Sequence, residues 1–245
     1  MSISQQISRS DTVGAIVTQR PSRPRLFEGW GIDYCCGGKV SLERACERRG
    51  VDVEEALRAL EDIGQGADSS DDFDWSTRSA AELMDHIITT HHAYLRHELP
   101  RLSGLVQKVA RVHGANHPEL NGVLRAFSVM AGELAAHMVK EEHAVFPAAR
   151  ALETGAEPGP EEGSADDTAL HMLEDEHEAV GQALATIRGL TREFVPPPGA
   201  CNSYRAMLDG LNELEADTHQ HIHKENNVLF PKVVALRGAA LATAS

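Results

Sequence analysis

The sequence predicts an all-α protein: an antiparallel four-helix bundle over residues 76–235, preceded by a small helical domain at 11–63 and a linker at 64–75. Three observations predict it. Four long segments carry apolar residues at alternating spacings of three and four, and strand-type alternation is scarce. All 13 histidines fall between His86 and His223, which sets the first part of the chain apart from the rest.

In the small domain, Asp52 and Glu55 are spaced as a capping box before Ala56, Leu57 and Leu60, as at the start of a short helix. Gly64 to Asp74 is rich in Gly, Ser and Asp without an apolar period, which makes it a solvated linker. Ser79 and Glu82 form a second capping box and open the first bundle helix, expected to reach about His113 with a kink at Leu99-Pro100. Pro118 suits a first helical turn, and the second helix is expected to run to about Arg150. After an acidic loop, the third helix spans about Thr168 to Phe194, stopped by Pro196, Pro197 and Pro198. The fourth spans about Ser203 to Lys232.

A chain of 245 residues, 42% of them hydrophobic, can bury an ordinary core and support a second, smaller module. Its formal net charge of -14 disfavours phosphate backbones and anionic lipid, so no nucleic-acid and no membrane partner is expected. Nothing between Met1 and Arg20 resembles a signal peptide, and no stretch approaches the ~18 apolar residues of a membrane span. Four cysteines (Cys35, Cys36, Cys46 and Cys201) are too few for a secreted disulfide framework. The expectation is a soluble protein of the reducing cytoplasm.

Polar residues interrupt every apolar stripe. In the third helix the stripe is Leu170, Leu173, His177, Val180, Leu184, Ile187. The second runs Leu120, Val123, Phe127, Met130, Leu134, His137, Glu141, with an imidazole and a carboxylate one turn apart. In the fourth, Tyr204, Met207, Leu211, Leu214 and Thr218 lead to His221, Glu225 and Val228. The first, through Ile88, His92, Leu95, Leu99, Leu102, Val106 and Val109, holds one histidine. Burying four imidazoles and two carboxylates without partners would cost several kcal/mol each, more than a marginally stable domain can absorb. Two metal ions compensate that cost, held by the imidazoles and bridged by the carboxylates. Imidazole and carboxylate without thiolate suit iron or manganese, with zinc as the usual competitor. An internal repeat points the same way: His137-x3-Glu141-x4-Phe146-Pro147 matches His221-x3-Glu225-x4-Phe230-Pro231.

The other nine histidines read as surface groups or as supports for the ligands; a shifted helix phase would exchange His91 with His92. Glu133 and Glu176 are candidates for orienting ligands. Cys35-Cys36 stands in Gly31-Ile-Asp-Tyr-Cys-Cys-Gly-Gly38. Adjacent Cα atoms lie about 3.8 Å apart, below the usual span of a relaxed disulfide, so free thiols, redox-active or metal-binding, are expected.

These residues resemble the repair-of-iron-centres family, the YtfE, ScdA and DnrN type of iron-sulfur cluster repair protein. Asp33-Tyr-Cys-Cys-Gly-Gly38 resembles the signature of the family's small N-terminal domain, and about 79 to 232 resembles its hemerythrin-like domain. Lys140-Glu141-Glu142, Glu176-His177, Pro196-Pro-Pro198 and Glu225-Asn-Asn-Val-Leu-Phe-Pro231 carry the likeness. The resemblance implies two iron ions per chain in an oxo- and carboxylate-bridged centre, on His92, His137, Glu141, His177, His221 and Glu225. It further implies restoration of iron-sulfur clusters damaged by nitric oxide or oxidants through donation of iron. Damaged iron-sulfur proteins are the expected partners, nitric oxide or oxygen the small ligands, and the state a monomer or homodimer. Two rival readings stay open: an enzyme reducing nitric oxide, and a module that binds or senses oxygen or nitric oxide. An N-terminal extension and a longer acidic loop near Glu153 to Asp167 depart from the family's pattern.

Overall fold

The computed structural model of the chain describes residues 7–20, 22–63, 74–156 and 163–243. Most of the expected linker, at 64–73, and part of the acidic loop, at 157–162, lie outside the described residues. Among the described residues there is no β-strand, only an isolated bridge between Thr12 and Ser41. The chain divides into two compact units, one of Met1–Ser79 with Ile222–Lys232, the other of Ala80–His221 with Val233–Ser245.

Among the described residues up to Ile63, the smaller unit holds four short α-helices: α1 (Val13–Gln19), α2 (Pro24–Gly29), α3 (Leu42–Arg49) and α4 (Val53–Asp62). Each start has a local cause. Thr12, Ser41 and Asp52 accept hydrogen bonds from amides of the first turns of α1, α3 and α4, and Pro24 pre-sets the backbone of α2. Gly50 ends α3 in the left-handed conformation that glycine adopts without strain. Val13, Ile16, Phe27, Tyr34, Leu42 and Leu60 form the core of this unit.

The larger unit is the bundle. Its first arm is α5 (Ala80–Ile87), a π-helical turn (Ile88–His92) and α6 (Ala93–His113). The second is α7 (Glu119–Lys140), a π-turn (Glu141–Val145) and α8 (Phe146–Thr154). The third, α9 (Asp167–Leu190), is unbroken. The last comprises α10 (Asn202–Lys224), a π-turn (Glu225–Leu229) and α11 (Phe230–Thr243), of which the stretch Ile222–Lys232 belongs to the smaller unit. Helix α7 packs against α6 and α9, and α8 packs against α5. The Glu153 carboxylate of α8 takes the first two amides of α5, Ala80 and Ala81, at 2.9 Å each, so the opening of the first arm is capped from a distant part of the chain.

Three expectations shift. The third helix ends at Leu190 rather than Phe194, before the prolines are reached, because Arg192, Glu193 and Phe194 all adopt positive φ. Burial of Phe194, with the Arg188 guanidinium 5.0 Å over its ring, holds that corner. The fourth arm runs on to Thr243. In the first arm, Ile87 rather than Ile88 is the buried residue, because the π-turn inserts one residue and shifts the phase of the stripe before it.

Candidate metal centre

Each π-turn closes on a hydrogen bond spanning five residues: Ala93 N–H to Ile88 O, Phe146 N–H to Glu141 O, and Phe230 N–H to Glu225 O. The three turns carry His92, Glu141 and Glu225 respectively. Such a turn is less stable than α-helix and gathers where function requires it. Here it admits an extra residue, so that both His91 and His92 are buried, at 2% and 0% exposure.

All six residues expected as ligands, His92, His137, Glu141, His177, His221 and Glu225, are buried. His92, Glu141, His221 and Glu225 present ligand atoms within 4.8 Å of one another, and so do His137, Glu141, His177 and Glu225. The imidazoles meet in pairs through Nε2, His92 with His221 at 3.2 Å and His137 with His177 at 2.9 Å. Glu141 stands between the pairs. Its Oε2 is 3.3 Å from His92 Nε2 and its Oε1 is 3.2 Å from His137 Nε2. Glu225 lies one turn beyond His221 along the last arm and belongs to both groups.

The carboxylates behind the histidines fix their tautomers. His92 Nδ1 donates to Glu142 Oε1 at 2.6 Å, and His137 Nδ1 donates to Glu176 Oε2 at 2.8 Å. A neutral ring that donates through Nδ1 offers only a lone pair at Nε2. An ionised Glu141 likewise offers only lone pairs, so acceptor faces acceptor across both gaps, an arrangement that a cation between them stabilises. Burial by itself would raise the Glu142 and Glu176 carboxyls. Bonds from Arg96 and His92 on one, and from Lys140 and His137 on the other, outweigh it and hold both below the usual range.

Spacing supports the fit. A first-row divalent ion bound at about 2.1 Å places neighbouring ligand atoms about 3.0 Å apart in octahedral coordination, close to the separations in both groups. Packing holds the rings: His92 stacks on Phe146 at 6.0 Å and 9° between planes, and His221 stacks on His91 at 5.4 Å and 4°. His91 in turn is tied through Nδ1 to Asp217 at 2.8 Å. Thus His91 packs against His221 and is not itself a member of either group.

Of the two expected orienting carboxylates, Glu176 holds His137, whereas Glu133 is exposed. Sequence reasoning missed Glu142 and Asp217. The signals available for Glu142 were its adjacency to Glu141 and its place in the Lys140-Glu141-Glu142 motif. His223 is not a surface group: in the small unit it is buried, 3.2 Å from the Tyr34 carbonyl and 3.3 Å from the Thr18 hydroxyl, and burial pushes its pKa down to about 4. Cys35 and Cys36 are free thiols in that same unit, their sulfurs 3.8 Å apart.

A helical bundle with two buried histidine pairs about a shared carboxylate defines a hemerythrin-type cation-binding domain, and residues 83–233 match the family model described as the hemerythrin HHE cation binding domain. Residues 9–64 match the ScdA_N domain, described as of unknown function. Relatives extend the likeness over nearly the whole chain. The iron-sulfur cluster repair protein YtfE of Yersinia pseudotuberculosis is 36% identical over 230 residues, 94% of this chain and 98% of its own length. That of Citrobacter koseri is 36% identical over 227 residues, 93% and 98% of the two chains. The chain belongs to the repair-of-iron-centres family.

Proposed function

We propose that this protein restores damaged iron-sulfur clusters by donating iron, with two iron ions per chain as its cargo. The observation that carries the reading is Glu141, whose two oxygens face different histidine pairs, as a bridge between two cations requires. His92, His221 and His137, His177 hold one ion each in this reading, and Glu225 is the second bridging carboxylate.

Bound iron supplies the redox chemistry of the centre and open positions for a small ligand such as nitric oxide or oxygen. The protein supplies hold and release. Glu142 and Glu176 keep the Nδ1 protons of His92 and His137 in place, so each Nε2 points its lone pair inward. When an ion departs, those same carboxylates are ready to pair with a ring that has taken a proton at Nε2, while Arg96 and Lys140 pin them from outside. An exchangeable ion thus leaves behind a site that does not collapse.

Iron-sulfur proteins are the clients in this account. Four free cysteines among the described residues suit a reducing compartment, and we assign the protein to the cytoplasm. No helix of the described residues is long and apolar enough to cross a membrane. We also divide the chain into domains at 11–63 and 76–235, joined through 64–75.

Incubation of the iron-loaded protein with a cluster-depleted hydratase tests donation. Hydratase activity should return with loss of iron from the donor. Recovery no better than with free ferrous iron would refute the proposal, and multi-turnover consumption of nitric oxide without iron loss would make the protein an enzyme instead.

A further inference from the structure

Besides the two groups of the bundle, the turn that follows α2 gathers three side chains of metal-binding type. Asp33, Cys35 and Cys36 present ligand atoms within 4.8 Å of one another. We propose that they form a second, mononuclear site for a divalent first-row ion, with two thiolates and one carboxylate as ligands. Only the identity of the natural ion as ferrous iron rests on the donor reading above.

The sulfur separation is the first support. A tetrahedral ion bound at about 2.3 Å by each of two thiolates holds the sulfurs about 3.8 Å apart, and Cys35 Sγ and Cys36 Sγ are 3.8 Å apart here. Neighbouring cysteines need no backbone change to reach that edge, whereas a disulfide would require the sulfurs to close to about 2.05 Å. The third ligand is also close: Cys35 Sγ is 3.2 Å from Asp33 Oδ1, against about 3.6 Å for a sulfur-oxygen edge of the same tetrahedron. A shift of a few tenths of an ångström separates the metal-free turn from the bound one.

The turn is built to keep these groups together. Asp33 Oδ1 accepts the amides of Cys35 and Cys36 at 2.9 and 3.0 Å, and Oδ2 accepts that of Gly37 at 2.9 Å. Within the same unit, Asn227 donates through Nδ2 to the Cys35 carbonyl at 3.0 Å. A Cβ on Gly38 would come within 2.4 Å of Asn227 Oδ1 and 2.8 Å of the Tyr34 carbonyl, so the second glycine is required for that approach. The structure therefore ties the turn to the segment of the last arm that carries Glu225.

Two thiolates beside a carboxylate are three like charges, which a bound cation would offset. Binding of the ion breaks two S–H bonds and releases both protons to water; no electrons move.

Cobalt(II) tests the site in the full-length chain after the bundle has been loaded with iron. One cobalt per chain should bind with thiolate-to-cobalt charge-transfer absorption, and Cys36→Ser should abolish that band with iron content unchanged. A missing band, a band that survives Cys36→Ser, or one lost in Cys201→Ser overturns the proposal. If Cys36→Ser alters the far-ultraviolet dichroism, alkylation of wild-type Cys36 replaces it: cobalt should slow labelling, and an unchanged rate overturns the site. Iron content and hydratase reactivation of the same samples judge the bundle separately. A failed thiolate site with both intact leaves the donor reading standing, while failed reactivation with the cobalt band present sinks the donor reading alone.

Discussion

Replacing Glu142 by glutamine keeps the shape of the group behind His92 and removes its charge. Glu142 Oε1 is 2.6 Å from His92 Nδ1, its side chain only 17% exposed, and the amide oxygen of glutamine can still accept the ring N–H. Hydrogen bonds to charged groups contribute about 1.5–3 kcal/mol and neutral ones about 0.5–1.5, so the loss is about 1–1.5 kcal/mol, or about tenfold in affinity. That lies at the lower end of the roughly 10–100-fold effect of removing a partner that orients a metal ligand. On the proposed two-iron reading only one ion of the pair should respond, because Glu142 bonds His92 and Glu176 bonds His137. Iron release to an excess of chelator, followed by absorbance, should become biphasic in Glu142→Gln, with half of the iron leaving about tenfold faster. Glu176→Gln should act on the other half, and the double variant on both. If both single variants released all their iron at the wild-type rate, the carboxylates would have no hold on the ligands and the assignment of the two groups would be wrong.

Two further outcomes follow from groups outside the coordination sphere. The Thr218 hydroxyl is fully buried and has no hydrogen-bond partner among the described residues, although Thr89, Thr186 and Thr191 each bond the carbonyl four residues back at 2.7–2.9 Å. Thr218→Val should therefore stabilise the metal-free protein by about 1 kcal/mol, raising its Tm by roughly 2–4 °C in calorimetry; an unchanged or lower Tm refutes this. Arg101 holds the Glu98 carboxyl below its ordinary range, with His97 assisting against the opposing effect of burial. A depressed folded pKa means the contribution is complete above the unfolded value and is lost as pH falls through the folded one. Glu98→Gln should flatten the acid limb of a stability-pH curve measured by denaturant titration, and identical acid limbs would show the ion pair to be inert.

Much of the bundle could be read from the chain because polar side chains gathered in a helical core must occupy core spacings. His177 sits between Leu173 and Val180 where the 3.6 period demands a hydrocarbon, and burial of that whole stripe follows from the same rule. What escaped was decided by contacts between distant segments. On sequence alone Glu142 has no role and Glu176 is named only together with the exposed Glu133, because each is an ordinary helical glutamate until a histidine from another arm arrives at Nδ1 distance. The corner after α9 was hidden for a similar reason: Arg192, Glu193 and Phe194 carry no left-handed propensity, and the packing of Phe194 under Arg188 holds them there together with the Glu193 amide on the Arg188 carbonyl at 3.0 Å and the Phe194 amide on the Thr191 hydroxyl at 3.4 Å.

The π-turns lie between these extremes. Their signal was present in the repeat, since Glu-x4-Phe places the phenylalanine amide five residues from the glutamate carbonyl that it bonds. Proline follows each phenylalanine, lacks the N–H that an α-helical ladder would use, and in that ladder would crowd the carbonyl four residues back. A wider turn relieves that crowding. The same widening explains why the period failed at Ile88 and why His91 and His92 could not be told apart by phase: an arm with one extra residue buries both. Local helix preference and the clustering of buried polar groups disagree at these three places, and the chain accepts the weaker turn at each, because an unbroken α-helix would shift the buried histidines and carboxylates out of register with one another.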